Sequence, residues 1–141
     1  MRFVYPFEIE DDGESLCISF PDVPEALTSS RKSEKDMFYM AHDCLVTALR
    51  SRIADREKLP KPSPVANRPA VVFDALESAK LALAQAMLEE GATNVALAKR
   101  LGVTEAVVRR LLDLDHRSHI GQVEKALAEL GRRLEIRVKA A

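Results

Sequence analysis

Long apolar runs are missing from this chain, and with them the roughly 18 to 20 consecutive apolar residues that a membrane-spanning helix requires. The opening MRFVYPFEIEDD is charged early and has no apolar h-region, so no secretory signal is expected. Cysteine is scarce. Cys17 and Cys44 lie far apart and without metal-ligand spacing, which argues against a disulfide framework or a cysteine-based metal site. Both stand among apolar neighbours and are expected as reduced core residues of a cytosolic protein. Internal repeats and low-complexity stretches are also lacking.

What is present describes a globular protein. The 141 residues suit one ordinary domain or two small ones, with 47% apolar and 30% charged residues. The net charge of −1 conceals an asymmetry. Residues 1–58 hold 8 Lys and Arg against 12 Asp and Glu, a net of −4. Residues 59–73 have a net of +2, from Lys61 and Arg68 alone. Residues 74–141 hold 11 basic against 10 acidic side chains, a net of +1. An acidic front half repels DNA and suits a basic protein partner; a solvated surface is the plainer alternative.

The front half begins with β signals. Phe3, Tyr5 and Phe7 alternate with Val4 and Glu8 before Ile9, which predicts one strand of about seven residues. Asp11, Asp12 and Gly13 mark a hairpin turn, because Asp and Gly tolerate the positive φ of tight hairpins. Leu16, Ile18 and Phe20 alternate through a second strand, which Pro21 and Pro24 break. A short third strand is expected over 25–28. Ser33 and Asp36 have the spacing of a capping box, which predicts a helix over 34–57. Met37, Met40 or Ala41, Cys44, Ala48 and Ile53 form its apolar stripe, widened by Phe38, Leu45 and Leu49, as in a helix laid on a sheet. Prolines at 60, 62, 64 and 69 predict an extended hinge over 59–69. Val71, Val72 and Phe73 can return to the sheet as a last strand, placing the domain boundary near Asp74.

The back half is read as all helix. Asp74 with Glu77 starts one that Gly91 ends, with Leu76, Leu83 and Met87 facing inward. Residues 94–111, NVALAKRLGVTEAVVRRL, are the most informative stretch. They read as helix, tight turn and helix at the spacing of a DNA-binding helix-turn-helix. Ala98 is small where two steeply crossed helices touch. Gly102 can take positive φ and reverse the chain in about three residues. Leu97, Leu101, Val103, Val108 and Leu111 are expected to close an apolar plug, with Thr93 and Thr104 as helix caps. An ordinary helical hairpin is the bland alternative. Ser118 is expected to cap a last helix whose inner face is Ile120, Val123, Leu127 and Leu130, ended by Gly131. Leu134, Ile136 and Val138 alternate in a short terminal strand or tail.

FPDVPEALT followed by a helix, the Pro-rich passage ending in PAVVF, and the long segment KLALAQAMLEEGATNVALAKRLGVTEAVVRRLLDLDHRSHIGQVEKALAELGRRLEI together resemble the HicB antitoxins. The C-terminal half is similar to helix-turn-helix domains of the Xre/Cro repressor type. The small-residue turn that commonly follows FPD-x-P in the family is lacking here. The resemblance implies an α+β protein. Residues 1–73 would form a partial ribonuclease-H-like αβ domain that occludes a small basic HicA-like toxin, a histidine-dependent ribonuclease. Residues 74–141 would form a helix-turn-helix domain that dimerises and represses the operon by binding operator DNA. Asp11, Asp12, Asp22 and Glu25 are the expected toxin-binding residues, Asp22 as turn former or direct contact.

By the same resemblance, Glu105, Ala106 and Arg110 occupy positions that face base edges. Arg110 can grip guanine through two hydrogen bonds, and Ala106 can touch a thymine methyl. Glu105 either accepts from cytosine N4 or pairs with Arg109. Thr104 shares that exposed face. Thr93 and Asn94 open the first helix of the pair, where they bind phosphate, cap the helix, or both. Arg117 and His119 are expected near phosphates. His116 and His119 lack completing ligands, so no metal is expected, and neither a cofactor nor a catalytic residue. His42 is expected mid-helix, facing out or toward a partner. Glu8, Glu10, Asp11, Asp12 and Asp22 are the carboxylates a two-metal nuclease would need, with turn chemistry and acidic surface as the bland reading. A repressor sensing a small ligand, without a toxin partner, is the alternative.

Overall fold

A computed structural model describes residues 2–141. The class is α+β: five short strands and one helix precede four further helices. The chain divides into two compact units, Met1–Phe73 and Asp74–Ala141.

In the first unit, β1 (Val4–Pro6) pairs antiparallel with β5 (Ala70–Val72), Tyr5 opposite Val71. A second sheet has the order β2 (Glu8–Asp11), β3 (Leu16–Ser19), β4 (Leu27–Ser30), all antiparallel. The single opening strand expected from alternation is therefore two. Pro6 ends the first, since it has no N–H to continue a ladder. The Phe7 N–H then donates to the Pro69 carbonyl at 2.9 Å, and its ring is fully buried against Phe20 and Phe38. The hairpin reverses over 12–15, with Gly13 at φ 100°. The third strand starts later than expected. Two successive turns, Val23 N–H to Phe20 carbonyl and Ala26 N–H to Val23 carbonyl, occupy 20–26. They bury every third residue, Phe20, Val23 and Ala26.

Helix α1 (Glu34–Ala54) is capped by Ser33, whose Oγ accepts from the Asp36 N–H at 3.1 Å. The return half of the capping box is not made; the Asp36 carboxylate accepts instead from the Arg31 N–H at 2.7 Å. The buried stripe is Met37, Ala41, Leu45, Ala48 and Leu49. It follows the expected stripe and its widening at Leu45 and Leu49, with Val46 buried as well, while Cys44 and Ile53 are only half-buried and Phe38 is exposed. Cys17 is exposed, contrary to its expected core position, because strand alternation puts Ile18 inward. His42 is half-buried against the Phe73 ring, at 5.7 Å between centroids, rather than facing out.

The Pro-rich segment is a strap bound to the first unit. The Tyr5 hydroxyl donates to the Pro60 carbonyl at 2.7 Å. The Asp22 Oδ2 accepts from both the N–H and the Oγ of Ser63, each at 2.9 Å. Arg68 donates to the Pro64 carbonyl at 2.6 Å and lies 3.5 Å from the Glu8 carboxylate. An extended segment without ladder bonds satisfies its polar groups through these side chains. Burial pushes the Tyr5 phenol up to about 12, with the Asp22 charge adding to the effect.

The second unit holds α2 (Ala75–Glu90), α3 (Asn94–Leu101), α4 (Glu105–Leu112) and α5 (Ile120–Glu129). Asp74 and Glu77 form a complete capping box, with bonds of 2.7 and 3.1 Å. Leu83, Met87, Leu97, Ala98, Val108, Leu111, Val123 and Leu127 make one core. Gly131 follows α5 with φ 72°. Beyond it no strand forms: Ile136 and Val138 are exposed, the latter at 91%, in a tail without ladder partners. No helix among the described residues is long and apolar enough to cross a membrane.

Candidate functional site

Helices α3 and α4 are joined by Gly102, Val103 and Thr104. Gly102 sits at φ 69°, the left-handed region that lets the chain leave a helix without a Cβ penalty. The Val103 N–H closes the turn on the Ala98 carbonyl at 3.0 Å. Leu97, Ala98, Val108 and Leu111 are buried as expected, and Leu101 is partly so. Val103 is 39% exposed and does not plug the turn, because its backbone rather than its side chain closes it. Thr93 caps α3 through its Oγ1, which accepts from the Ala96 N–H at 3.0 Å. Thr104 occupies the N-cap position of α4 but makes no side-chain cap bond, leaving its hydroxyl exposed.

With Val108 and Leu111 inward, α4 turns Glu105, Arg109 and Arg110 to solvent and leaves Ala106 half-buried. The Arg109 Nε lies 3.7 Å from the Glu105 carboxylate, one helical turn away. Of the two roles open to Glu105, this is the one the free chain adopts. Such an exposed pair is worth only ~0.3–0.5 kcal/mol and can be exchanged for another partner. The Arg110 Nε reaches the Ala106 carbonyl at 3.4 Å, a long bond that leaves most of its donors for other acceptors.

The flanking residues are placed unevenly. Asn94 is half-buried in the first turn of α3. Arg117 is exposed and lies 3.2 Å from the Asp74 carboxylate. His119 is exposed at the N-cap of α5 without a side-chain cap bond. Ser118, expected as that cap, is half-buried and turned inward. Its Oγ lies 2.9 Å from the Lys80 Nζ and 2.9 Å from the His116 Nδ1.

Lys80 is the residue that sequence reasoning missed. It lies on α2 with no exposed surface, and its Nζ donates to the carbonyls of Arg110, Asp113 and His116 at 2.8, 2.7 and 2.7 Å. Burial pulls its ammonium below the ordinary lysine range, the Asp113 charge opposing and the Arg117 charge adding. The signal was present: Leu76, Lys80, Leu83 and Met87 step by four, three and four, so the lysine stands in the middle of an inward stripe.

The four acidic residues expected to meet a toxin are each engaged within the first unit. Asp11 lies 3.0 Å from the Lys32 ammonium, and the Gly13 N–H with that ammonium holds its carboxyl below the usual range. Asp12 accepts from the N–H groups of Ser15 and Glu14, which lower it likewise. Glu25 forms a two-bond fork with Arg52, at 2.6 and 2.9 Å, and is lowered by it. Asp22 is half-buried and bound to Ser63. Glu8 and Glu10 are exposed on β2, an edge strand exposed along its length. Among the described residues no three His, Cys, Asp or Glu side chains converge on a point that could hold a metal ion.

Residues 4–90 match the family described as HicB-like antitoxin of bacterial toxin–antitoxin systems. Antitoxin HicB 2 of Photorhabdus laumondii subsp. laumondii is 36% identical over 132 residues, covering 94% of both chains. Antitoxin HicB of Pseudomonas fluorescens is 34% identical over 143 residues, covering 100% of this chain and 97% of that one. Antitoxin HicB of Escherichia coli is 34% identical over 120 residues, covering 84% and 86%. The family match takes in every strand, the strap, α1 and α2, while the relatives extend to nearly the full length, and on both grounds this chain belongs to the HicB-like antitoxin family.

Proposed function

We propose that this chain neutralises a cognate HicA-like toxin ribonuclease with residues 1–73, the 59–69 strap included, and represses their shared operon with residues 74–141. It acts in the cytoplasm by binding alone, without a cofactor or catalysis. The observation that carries the DNA half is α4: a two-turn helix behind a glycine turn, its apolar residues inward and Thr104, Glu105, Arg109 and Arg110 outward. Arg110 is the base reader, forking onto a guanine edge, with Ala106 against a thymine methyl. Thr93 and Asn94 at the start of α3, with Arg117 and His119 beyond α4, meet phosphates. Arg109 is held by Glu105 until DNA offers a phosphate. The operator-bound form is a homodimer or a dimer of dimers, with two α4 helices in major grooves about 34 Å apart on a palindrome.

The toxin half is supported by family membership and by an acidic, exposed edge. β2 and the following turn carry Glu8, Glu10, Asp11, Asp12 and Glu14, all exposed, on the side of the chain whose first 58 residues have 12 acidic against 8 basic groups. Such a field suits a basic partner. Asp22 and Glu25, which are held by Ser63 and Arg52, complete the proposed toxin-binding set with Asp11 and Asp12.

Titration of a duplex from upstream of the chain's own gene tests the DNA half. Arg110→Ala is expected to weaken binding there by ~1–3 kcal/mol and relax one base position. An equal loss on random-sequence DNA would reduce Arg110 to a phosphate contact. No preference of the unaltered chain for the upstream duplex would overturn the repressor role.

A further inference from the structure

Helix α4 has eight residues, two turns, too short to hold itself together in water. Its inner face is fixed by Val108 and Leu111. Its last carbonyls have no partner within the helix and sit at the negative end of its dipole. In this chain one of them, the Arg110 carbonyl, accepts from the Asp113 N–H at 3.2 Å and also meets a buried cation from another helix. The Lys80 Nζ lies within 2.7–2.9 Å of the Arg110, Asp113 and His116 carbonyls and the Ser118 Oγ. Ser118 Oγ in turn approaches the Arg110 carbonyl at 3.3 Å, so lysine and serine grip the same backbone atom. One of those carbonyls belongs to the residue proposed to read a base. The others span the turn that carries Arg117 and leads to His119.

We infer that Lys80 is a positioning residue for DNA reading: from the core it sets the pose of the C-terminal turn of α4 and of the 113–118 loop. This rests on the DNA-reading role of α4. Base readout tolerates only small displacements, whereas phosphate contact through long basic side chains tolerates larger ones. Losing the anchor therefore damages preference more than general affinity. A guanidinium does not replace the ammonium, because a planar fork cannot serve acceptors arranged around a point.

The test uses the full chain as wild type, Lys80→Met, Lys80→Arg and Ser118→Ala. Binding is measured at one salt concentration to a duplex from upstream of its own gene and to a random-sequence duplex of equal length. Hydrogen exchange is followed at amides 110–118. Lys80→Met is expected to lower the ratio of upstream to random affinity by about tenfold, random binding changing less than about threefold. Exchange at 110–118 should rise, and Lys80→Arg should not restore the ratio. If Lys80→Met does not fold, Ser118→Ala carries the test, with a fall in the ratio of about three- to fivefold. A ratio within about twofold of wild type in the folded variant leaves Lys80 a stabilising residue only and overturns the inference. If the wild-type chain itself shows no preference, the DNA reading fails and this role falls with it. If wild type prefers the upstream duplex and the variants do so equally, only the role of Lys80 fails.

Discussion

Removing the Asp22 carboxylate should unfasten the Pro-rich strap. Its Oδ2 takes two bonds from Ser63, both 2.9 Å, and Asp22→Ala removes both at once. Hydrogen bonds to a charged group contribute ~1.5–3 kcal/mol each, and half-burial places these toward the lower end, so the loss is ~3–4 kcal/mol. Asp22→Asn keeps one acceptor oxygen and should lose ~1 kcal/mol. The assay is favoured by the aromatic distribution. Both tyrosines, Tyr5 and Tyr39, lie in the first unit, and the chain has no tryptophan. Tyrosine fluorescence during urea unfolding therefore reports that unit. With a urea dependence of about 1 kcal/mol/M, the Asp22→Ala midpoint falls by about 3 M or more, or the unit is unfolded without urea. The fall should track strap loosening, seen as faster exchange at the Ser63 amide. An unchanged midpoint would refute the reasoning. If toxin association were then lost, Asp22 would be a direct contact and not a clasp.

Two further outcomes follow from the geometry. Gly102→Ala should lose about 1 kcal/mol on thermal unfolding, from the left-handed backbone alone, because an added Cβ would meet nothing within 4 Å; a loss of several kcal/mol would mean the turn is packed. Asp11, Asp12 and Glu25 all have carboxyls lowered from ordinary values of 3.8, 3.8 and 4.5. A folded pKa below the unfolded one means that the unfolded chain holds more protons, so stability is fully present above those ordinary values and drains as pH falls through the folded ones. The tyrosine-monitored midpoint should be level from about pH 7 to pH 5 and drop below about pH 4; a rise on acidification would contradict these assignments.

Much of the helical unit was legible because caps and turns are local chemistry. Asp74 with Glu77, Thr93, Gly91 and Gly102 each sit where their side chains or φ angles demand. Ser33 and the 12–15 turn were readable for the same reason. What escaped depends on distant partners. Alternation runs through Phe3, Tyr5, Phe7 and Ile9 without signalling that Pro6 hands the chain from one ladder to another. Four prolines read as a hinge, because nothing near Ser63 in sequence announces Asp22, 41 residues away. Cys17 looked apolar by its neighbours but faces out by strand parity. Lys80 was passed over because its acceptors are backbone carbonyls 30 to 36 positions along, which no side-chain pattern marks. At the candidate site the exposed residues of α4 followed from periodicity. The inward turn of Ser118 did not, since Lys80 competes for its hydroxyl with the cap of α5.

The most direct test of an antitoxin is its toxin. The chain should be co-expressed with the product of its neighbouring gene, the complex isolated and its mass measured, and RNA cleavage assayed with and without this chain. A stable stoichiometric complex in which cleavage is suppressed, and a toxin-arrested cell restored to growth, is the expected result. Two separately eluting proteins, or a complex that cleaves RNA at the rate of the free toxin, would contradict it.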